Sequence, residues 1–216
     1  MKVNEIFFSI QGESSYAGIP CAFVRLTGCN LRCSYCDTRY AYDEGDERTL
    51  EQVLDAVERL PAGLVEITGG EPLLQPETHS LAIALADRGY KVLIETNGSI
   101  SVVGRDVRAK VIMDVKCPGS GMSGHILWEN LEALAPGDEV KFVLTNRADY
   151  EWALEIMEKY HLRAKQAVHL SPAFGLLEPR QLASWMLESP ELKHSLNVRL
   201  QLQIHKYIWP SVERGV

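Results

Sequence analysis

Short runs of Phe, Ile, Val and Leu alternate along the chain with stretches whose apolar residues recur every three or four positions. Runs at 3–9, 21–27, 64–68, 91–95, 110–115, 139–144, 167–170 and 198–202 have the length and β-branched content of strands. Leu50, Val53, Leu54, Val57 and Leu60 form an apolar stripe behind Thr49 and Gln52, whose spacing makes a capping box, so a helix starts at Thr49. Pro76 opens a second helix that Gly89 closes. Further helices are expected at 126–134, 149–160 and 179–187. The first two strands are joined by a polar loop, Gln11-Gly12-Glu13-Ser14-Ser15, and residues 29–46 form a long loop.

Strands that alternate with helices pair in parallel through right-handed crossovers. With about six such strands, the expected fold is α/β, an incomplete parallel β/α barrel. Ligands in such folds gather where strands end and loops begin. The unusual residues stand at those ends: Gly69-Gly70-Glu71, Thr96-Asn97, Asp114-Val115-Lys116 and Ser171-Pro172. No repeat, low-complexity tract or linker interrupts the pattern, so residues 1–216 read as one domain.

Composition narrows the class. Hydrophobic residues make up 46% and charged residues 24%, which is globular usage and not that of a disordered chain. No apolar run approaches the ~20 residues of a membrane helix, and the first residues lack a signal-peptide core, so a cytoplasmic protein is expected. A formal net charge of −7 disfavours nucleic acid and anionic membrane as partners, but leaves room for an anionic small substrate in a locally basic pocket.

Three of the five cysteines, Cys29, Cys33 and Cys36, fall within eight residues at C-x3-C-x2-C spacing. An odd count clustered in this way does not fit a disulfide framework; clustered thiols in a reducing compartment bind metal. Structural zinc takes four closed ligands, usually as two separated pairs. Cys21 or Cys117 would have to supply the fourth. Ferredoxin-type clusters also use four cysteines, whereas three in one loop leave one iron open for chemistry.

This spacing, with Tyr35 before the third cysteine and Gly69-Gly70-Glu71 at a strand end, resembles the radical S-adenosylmethionine superfamily. The resemblance implies a [4Fe–4S] cluster on Cys29, Cys33 and Cys36, with S-adenosyl-L-methionine chelating the open iron. It also implies reductive release of a 5′-deoxyadenosyl radical that abstracts hydrogen from substrate. Tyr35, Cys36 and Asp37 are then cofactor neighbours, Tyr35 lying against adenine, and Gly69, Gly70 and Glu71 face the methionine group. A branched side chain at Gly70 is expected to fill space that the methionine group needs, blocking cofactor binding while leaving the cluster intact.

A narrower resemblance covers almost the whole chain in order. Ser9-Ile10-Gln11-Gly12-Glu13, Phe23-Val24-Arg25, Gly28-Cys29-Asn30-Leu31, Cys36-Asp37-Thr38, Ile67-Thr68-Gly69-Gly70-Glu71-Pro72, Glu95-Thr96-Asn97-Gly98 and His205-Lys206-Tyr207 look like the 7-carboxy-7-deazaguanine synthase family. That family converts 6-carboxy-5,6,7,8-tetrahydropterin to 7-carboxy-7-deazaguanine with loss of ammonia, on the route to queuosine. The resemblance assigns Ile10, Gln11, Gly12, Glu13, Arg25 and Thr68 to substrate and Thr38 to Mg²⁺. It assigns Asp114, Val115, Lys116, Ser171, Pro172, Ala173 and Phe174 to the cofactor. It further implies a flavodoxin- or ferredoxin-type reductant and a homodimer. The chemistry of these residue types suits such a substrate. An amide and a carboxylate can read a pterin edge, an Arg fork matches a carboxylate, and a hydroxyl suits Mg²⁺.

The chain departs from the family at Asp114, where Ser is common in a Ser-Pro-Lys segment, and at Ser14, where Gly is common. Ser at 14 is compatible with the loop only if that position avoids positive φ. Cys21 reads as a buried strand thiol and Cys117 as a loop thiol. His79, His125, His161, His169 and His194 show no ligand spacing, and His205 falls at a strand end without an assigned role. Two rivals remain: an activating enzyme for a glycyl-radical partner, and a non-catalytic zinc or electron-transfer module.

Overall fold

The computed structural model describes residues 1–212 and 214–216. Its strands are β1 (Lys2–Ile10), β2 (Pro20–Leu26), β3 (Asp46–Glu47), β4 (Leu64–Gly69), β5 (Lys91–Thr96), β6 (Lys110–Asp114), β7 (Glu139–Leu144), β8 (Ala167–Pro172) and β9 (Val198–Leu200). Its helices are α1 (Leu50–Glu58), α2 (Glu77–Asp87), α3 (Glu129–Ala133), α4 (Arg147–Lys159), α5 (Leu162–Lys165), α6 (Pro179–Glu188) and α7 (Ile204–Ile208). The strands form one sheet in the order β3-β1-β2-β4-β5-β6-β7-β8-β9. β2 and β4 to β9 run parallel, as the alternation predicts. The two ends of the sheet are different strands, so the barrel is incomplete.

The departures from the expected elements have local causes. β1 is antiparallel to β2, because the short connection between them carries no crossover helix. β3 is a two-residue pairing against β1 inside the long loop, too short to leave a pattern. The helix expected at 126–134 shrinks to α3, and β6 ends at Asp114, one residue early. The strand expected at 198–202 is three residues long, and His205 lies in α7 and not at a strand end. Thr49 caps α1 with both hydrogen bonds of the box in place.

Alternation along the strands separates two cores. Val65, Ile67, Val92, Ile94, Val140 and Phe142 face the helices and form most of the protein's apolar core with Val53, Val57, Leu81 and Leu85. Cys117, in the loop after β6, joins this core and is fully buried. The opposite face closes on a smaller plug of Cys21, Phe23, Leu64, Leu93 and Ile112, with Phe7 and Tyr16 packed on it. Above this floor the same strand faces turn polar, and there the cavity opens.

Candidate active site

A cavity of about 280 Å³ sits over the C-terminal ends of the parallel strands. Cys29, Cys33 and Cys36 line it, each partly buried and none in a disulfide. The loop that carries them is braced through its backbone. Arg32 Nη1 donates to the carbonyls of Cys29 (2.7 Å) and Leu31 (2.8 Å), and the Glu71 amide donates to Gly28 O (2.7 Å). Burial pushes the Cys29 and Cys33 thiols up, so binding iron must displace protons. Among the described residues, no three His, Cys, Asp or Glu side chains gather as the ligands of a single metal ion. Three free thiols on one cavity wall fit a polynuclear cluster, whose ligands stand wider apart than those of one tetrahedral ion.

Gly70 packs against the cluster loop itself. A Cβ at this position would press on Gly28 O and on Cys29 Cβ. This corrects the expectation that a side chain at Gly70 intrudes only on the methionine group. Gly70→Val should therefore cost the cluster as well as cofactor binding. The iron and sulfide content of anaerobically reconstituted protein checks it, with less than half the wild-type load expected. A full load with weakened cofactor binding would restore the simpler expectation.

Glu71 also differs from expectation. Its carboxylate is fully buried and does not line the cavity. It accepts from Leu73 N (2.9 Å), Asn97 N (2.7 Å) and Thr96 Oγ1 (2.9 Å), tying the end of β4 to the end of β5. Val115 turns into the outer core, and Ser171 and Pro172 are buried behind the wall. Of the other expected residues, Gly69, Gly70, Tyr35, Asp37, Thr38, Asp114, Lys116, Ala173 and Phe174 do line the cavity. Asp114 Oδ2 receives Lys116 Nζ at 2.7 Å.

The loop after β1 folds over the other side of the cavity. Gln11 Oε1 accepts from Glu13 N at 2.7 Å, which fixes the amide so that Nε2 donates to Glu66. Ser14 adopts φ 61°, contrary to the condition set for a Ser there. Its hydroxyl accepts from Tyr16 N (3.2 Å), a local turn that offsets part of the strain. Arg25, at the end of β2, gives its Nε to Glu5 Oε1 (2.8 Å), and the Tyr40 hydroxyl holds the same oxygen (3.0 Å). The guanidinium lies over the Phe7 ring (5.5 Å) and lines the cavity together with Ile10, Gly12 and Thr68.

Three groups emerge that sequence reasoning missed: Lys141, Glu66 and Glu95. Lys141, on β7, is almost fully buried and meets Glu13 Oε2 (2.8 Å), Glu95 and Asp114 Oδ2 (3.6 Å). Burial alone would lower its pKa, but Glu13 and Glu95 outweigh that and hold it charged. Burial likewise opposes the Glu13 charge, yet Lys141 keeps that carboxyl below its usual range. Glu66 is pushed well above the carboxylate range by burial and by Glu95 beside it, so it retains its proton. The signal for all three was present: each is a charge next to buried apolar residues of a strand.

α7 closes the wall. Ile204 N donates to Gly12 O (3.0 Å), Gln203 Nε2 to Glu13 Oε1 (2.8 Å), and Lys206 pairs with Asp37 Oδ2 (2.8 Å). The His205 ring fills the space a Cβ at Gly12 would need, so only Gly allows this approach. Burial would raise the Asp37 carboxyl; Lys206 instead brings it down to about 2.

An incomplete parallel barrel, with three free cysteines and a Gly-Gly strand end on one cavity, defines the radical S-adenosylmethionine class. Residues 23–170 match the family model described as the Radical SAM superfamily. Across the full chain it is 47% identical to a 7-carboxy-7-deazaguanine synthase of Koribacter versatilis, with both chains covered completely. It is 46% identical to the enzyme of that name from Chlorobaculum tepidum, covering 100% of this chain and 97% of that one. The crystal structure of QueE from Escherichia coli superposes with a TM-score of 0.76 at 24% identity, covering 93% of this chain and 92% of that chain. The chain belongs to the 7-carboxy-7-deazaguanine synthase family. No helix among the described residues is long and apolar enough to cross a membrane.

Proposed function

We propose that the chain converts 6-carboxy-5,6,7,8-tetrahydropterin to 7-carboxy-7-deazaguanine with loss of ammonia, in keeping with the names its relatives carry. The observation that carries this reading is the shared cavity: Arg25 and the Gln11–Glu13 loop stand on the same wall system as Cys29, Cys33 and Cys36. Hydrogen-atom abstraction is the chemistry that a [4Fe–4S] cluster and S-adenosylmethionine supply there when bound. Cys29, Cys33 and Cys36 would hold the cluster. Gly69, Tyr35, Lys116, Ala173 and Phe174 would receive the cofactor.

The chain's own residues would position the pterin. Glu5 occupies only Nε of Arg25, so the outer nitrogens of the fork remain for the substrate carboxylate. Gln11 and Glu13, fixed by Glu66, Lys141 and Gln203, offer acceptors to the ring's amide-like edge. The apolar floor of Phe23, Leu64, Leu93 and Ile112 excludes water beneath it. Thr38, whose hydroxyl donates to Asp37 Oδ1 (2.9 Å), would offer its oxygen to Mg²⁺ beside the substrate. A flavodoxin- or ferredoxin-type protein would supply electrons to a cytoplasmic homodimer.

Anaerobic turnover of the carboxytetrahydropterin by reconstituted protein, with release of ammonia and the deazaguanine, tests the reading. Reductive cofactor cleavage with no deazaguanine formed would reject it and leave only the superfamily chemistry. Cys33→Ala should lose the cluster, because two thiolates under-coordinate it; iron, sulfide and zinc analysis of the same samples would expose a zinc site instead. Cys21→Ala and Cys117→Ala should retain the iron, since both thiols are buried away from the cavity.

A further inference from the structure

We infer that Asn97 donates a hydrogen bond to the cluster ligand Cys29 and thereby raises the reduction potential of the iron–sulfur cluster. This rests on the reading of Cys29, Cys33 and Cys36 as the cluster's thiolates. Asn97 Nδ2 lies 3.8 Å from Cys29 Sγ, within the range of an N–H···S contact. Its orientation follows from its neighbours. The Ser99 backbone N–H, which can only donate, points at Asn97 Oδ1 (2.9 Å), and the Ser99 hydroxyl donates to the same oxygen (2.6 Å). The amide nitrogen is therefore the atom that faces sulfur. Nδ2 also reaches Asn30 Oδ1 (3.3 Å), and Asn30 Nδ2 closes the ring on Ser99 Oγ (2.8 Å).

The backbone at this point is equally constrained. Asn97 N donates to the buried Glu71 carboxylate, which also takes Thr96 Oγ1 and Leu73 N. Glu71, away from the cavity wall, thus holds the strand end that presents Asn97 to the cysteine loop. Asn97 is itself nearly buried, so little water competes for the contact. A donor aimed at a ligating sulfur withdraws charge from it and favours the reduced, more negative cluster over the oxidised one. The residue is a positioning and tuning group, and it acts through Cys29.

The test is potentiometric titration of the cluster, followed by electron paramagnetic resonance, on anaerobically reconstituted full-length protein without S-adenosylmethionine. Asn97→Ala should shift the midpoint to more negative potential with iron and sulfide content retained. Asn97→Asp, similar in shape, should shift it further, because a carboxylate replaces the donor. Ser99→Ala, which frees one bond to Oδ1, should give a smaller shift in the same direction. An unchanged or more positive midpoint in Asn97→Asp overturns the inference. So does loss of the cluster from both Asn97→Asp and Ser99→Ala, which would make Asn97 a brace of the loop. Failure of the underlying reading shows differently: wild-type protein would then take up no [4Fe–4S] cluster.

Discussion

Lys141→Met should lose about 3–5 kcal/mol of folding stability, the cost of breaking a buried ion pair from one side. The ammonium is the common partner of Glu13, Glu95 and Asp114, and its side chain is only 4% exposed. Without it, Asp114 keeps Lys116, but Glu13 and Glu95, both largely buried, are left beside Glu66 with no ammonium between them. Denaturant unfolding of the cluster-free proteins at several pH values measures the loss. In the wild type, Glu13 has a lowered folded-state pKa, so its contribution is present at neutral pH and lost as pH falls through that value. In the variant, burial and like charges raise the folded-state values, so protonation on acidification stabilises it. The gap between the two proteins should therefore be widest near pH ~8 and narrow towards pH ~5. A constant gap would mean that methionine disrupts packing and that charge is not the cause.

That cluster also shows where the sequence stops being legible. Strand and helix periodicity located the parallel elements, because β4 to β8 bury one face under helices and consist of short, mostly apolar runs. The cysteine spacing and the Gly-Gly end were local patterns and were readable as such. Glu66, Glu95 and Lys141 are far apart in the chain and meet only because parallel register brings the inward-facing positions of β4, β5 and β7 together. No local pattern pairs them, although a charge within a buried strand marks each one. Glu71 misled in the opposite sense: adjacent to two glycines that face the cavity, its carboxylate turns inward to satisfy donors on the neighbouring strand end and in its own turn. α7 escaped because five residues are too few to show a period, yet it and the residue before it hold the Gly12–Glu13 loop and Asp37. The Ser14 conformation was likewise invisible, since a hydroxyl can offset a strained φ that composition alone would forbid.

Arg25→Ala should reduce kcat/KM for the carboxytetrahydropterin by about ten- to over a hundredfold, the equivalent of roughly 1.5–3 kcal/mol for a charge-assisted contact to the carboxylate. The structure sharpens what the substitution removes. Arg25 is held by Glu5 through Nε and by the faces of Phe7 and Tyr40, so its fork is oriented before substrate arrives. Alanine deletes the fork and leaves Glu5, whose side chain is only 18% exposed, with the Tyr40 hydroxyl as its remaining partner, so the substitution also costs folding stability. Lysine keeps a charge but cannot donate to Glu5 and to both carboxylate oxygens in one plane, so Arg25→Lys should fall between wild type and alanine. Reductive cleavage of S-adenosylmethionine in the absence of substrate separates the two roles of the residue. It should persist in both variants, because neither Glu5 nor Arg25 touches the backbone bonds that brace Cys29, Cys33 and Cys36. Normal turnover by Arg25→Ala would place the carboxylate elsewhere in the cavity. Loss of cofactor cleavage together with iron would instead make the Glu5–Arg25–Tyr40 cluster a support of the cysteine loop.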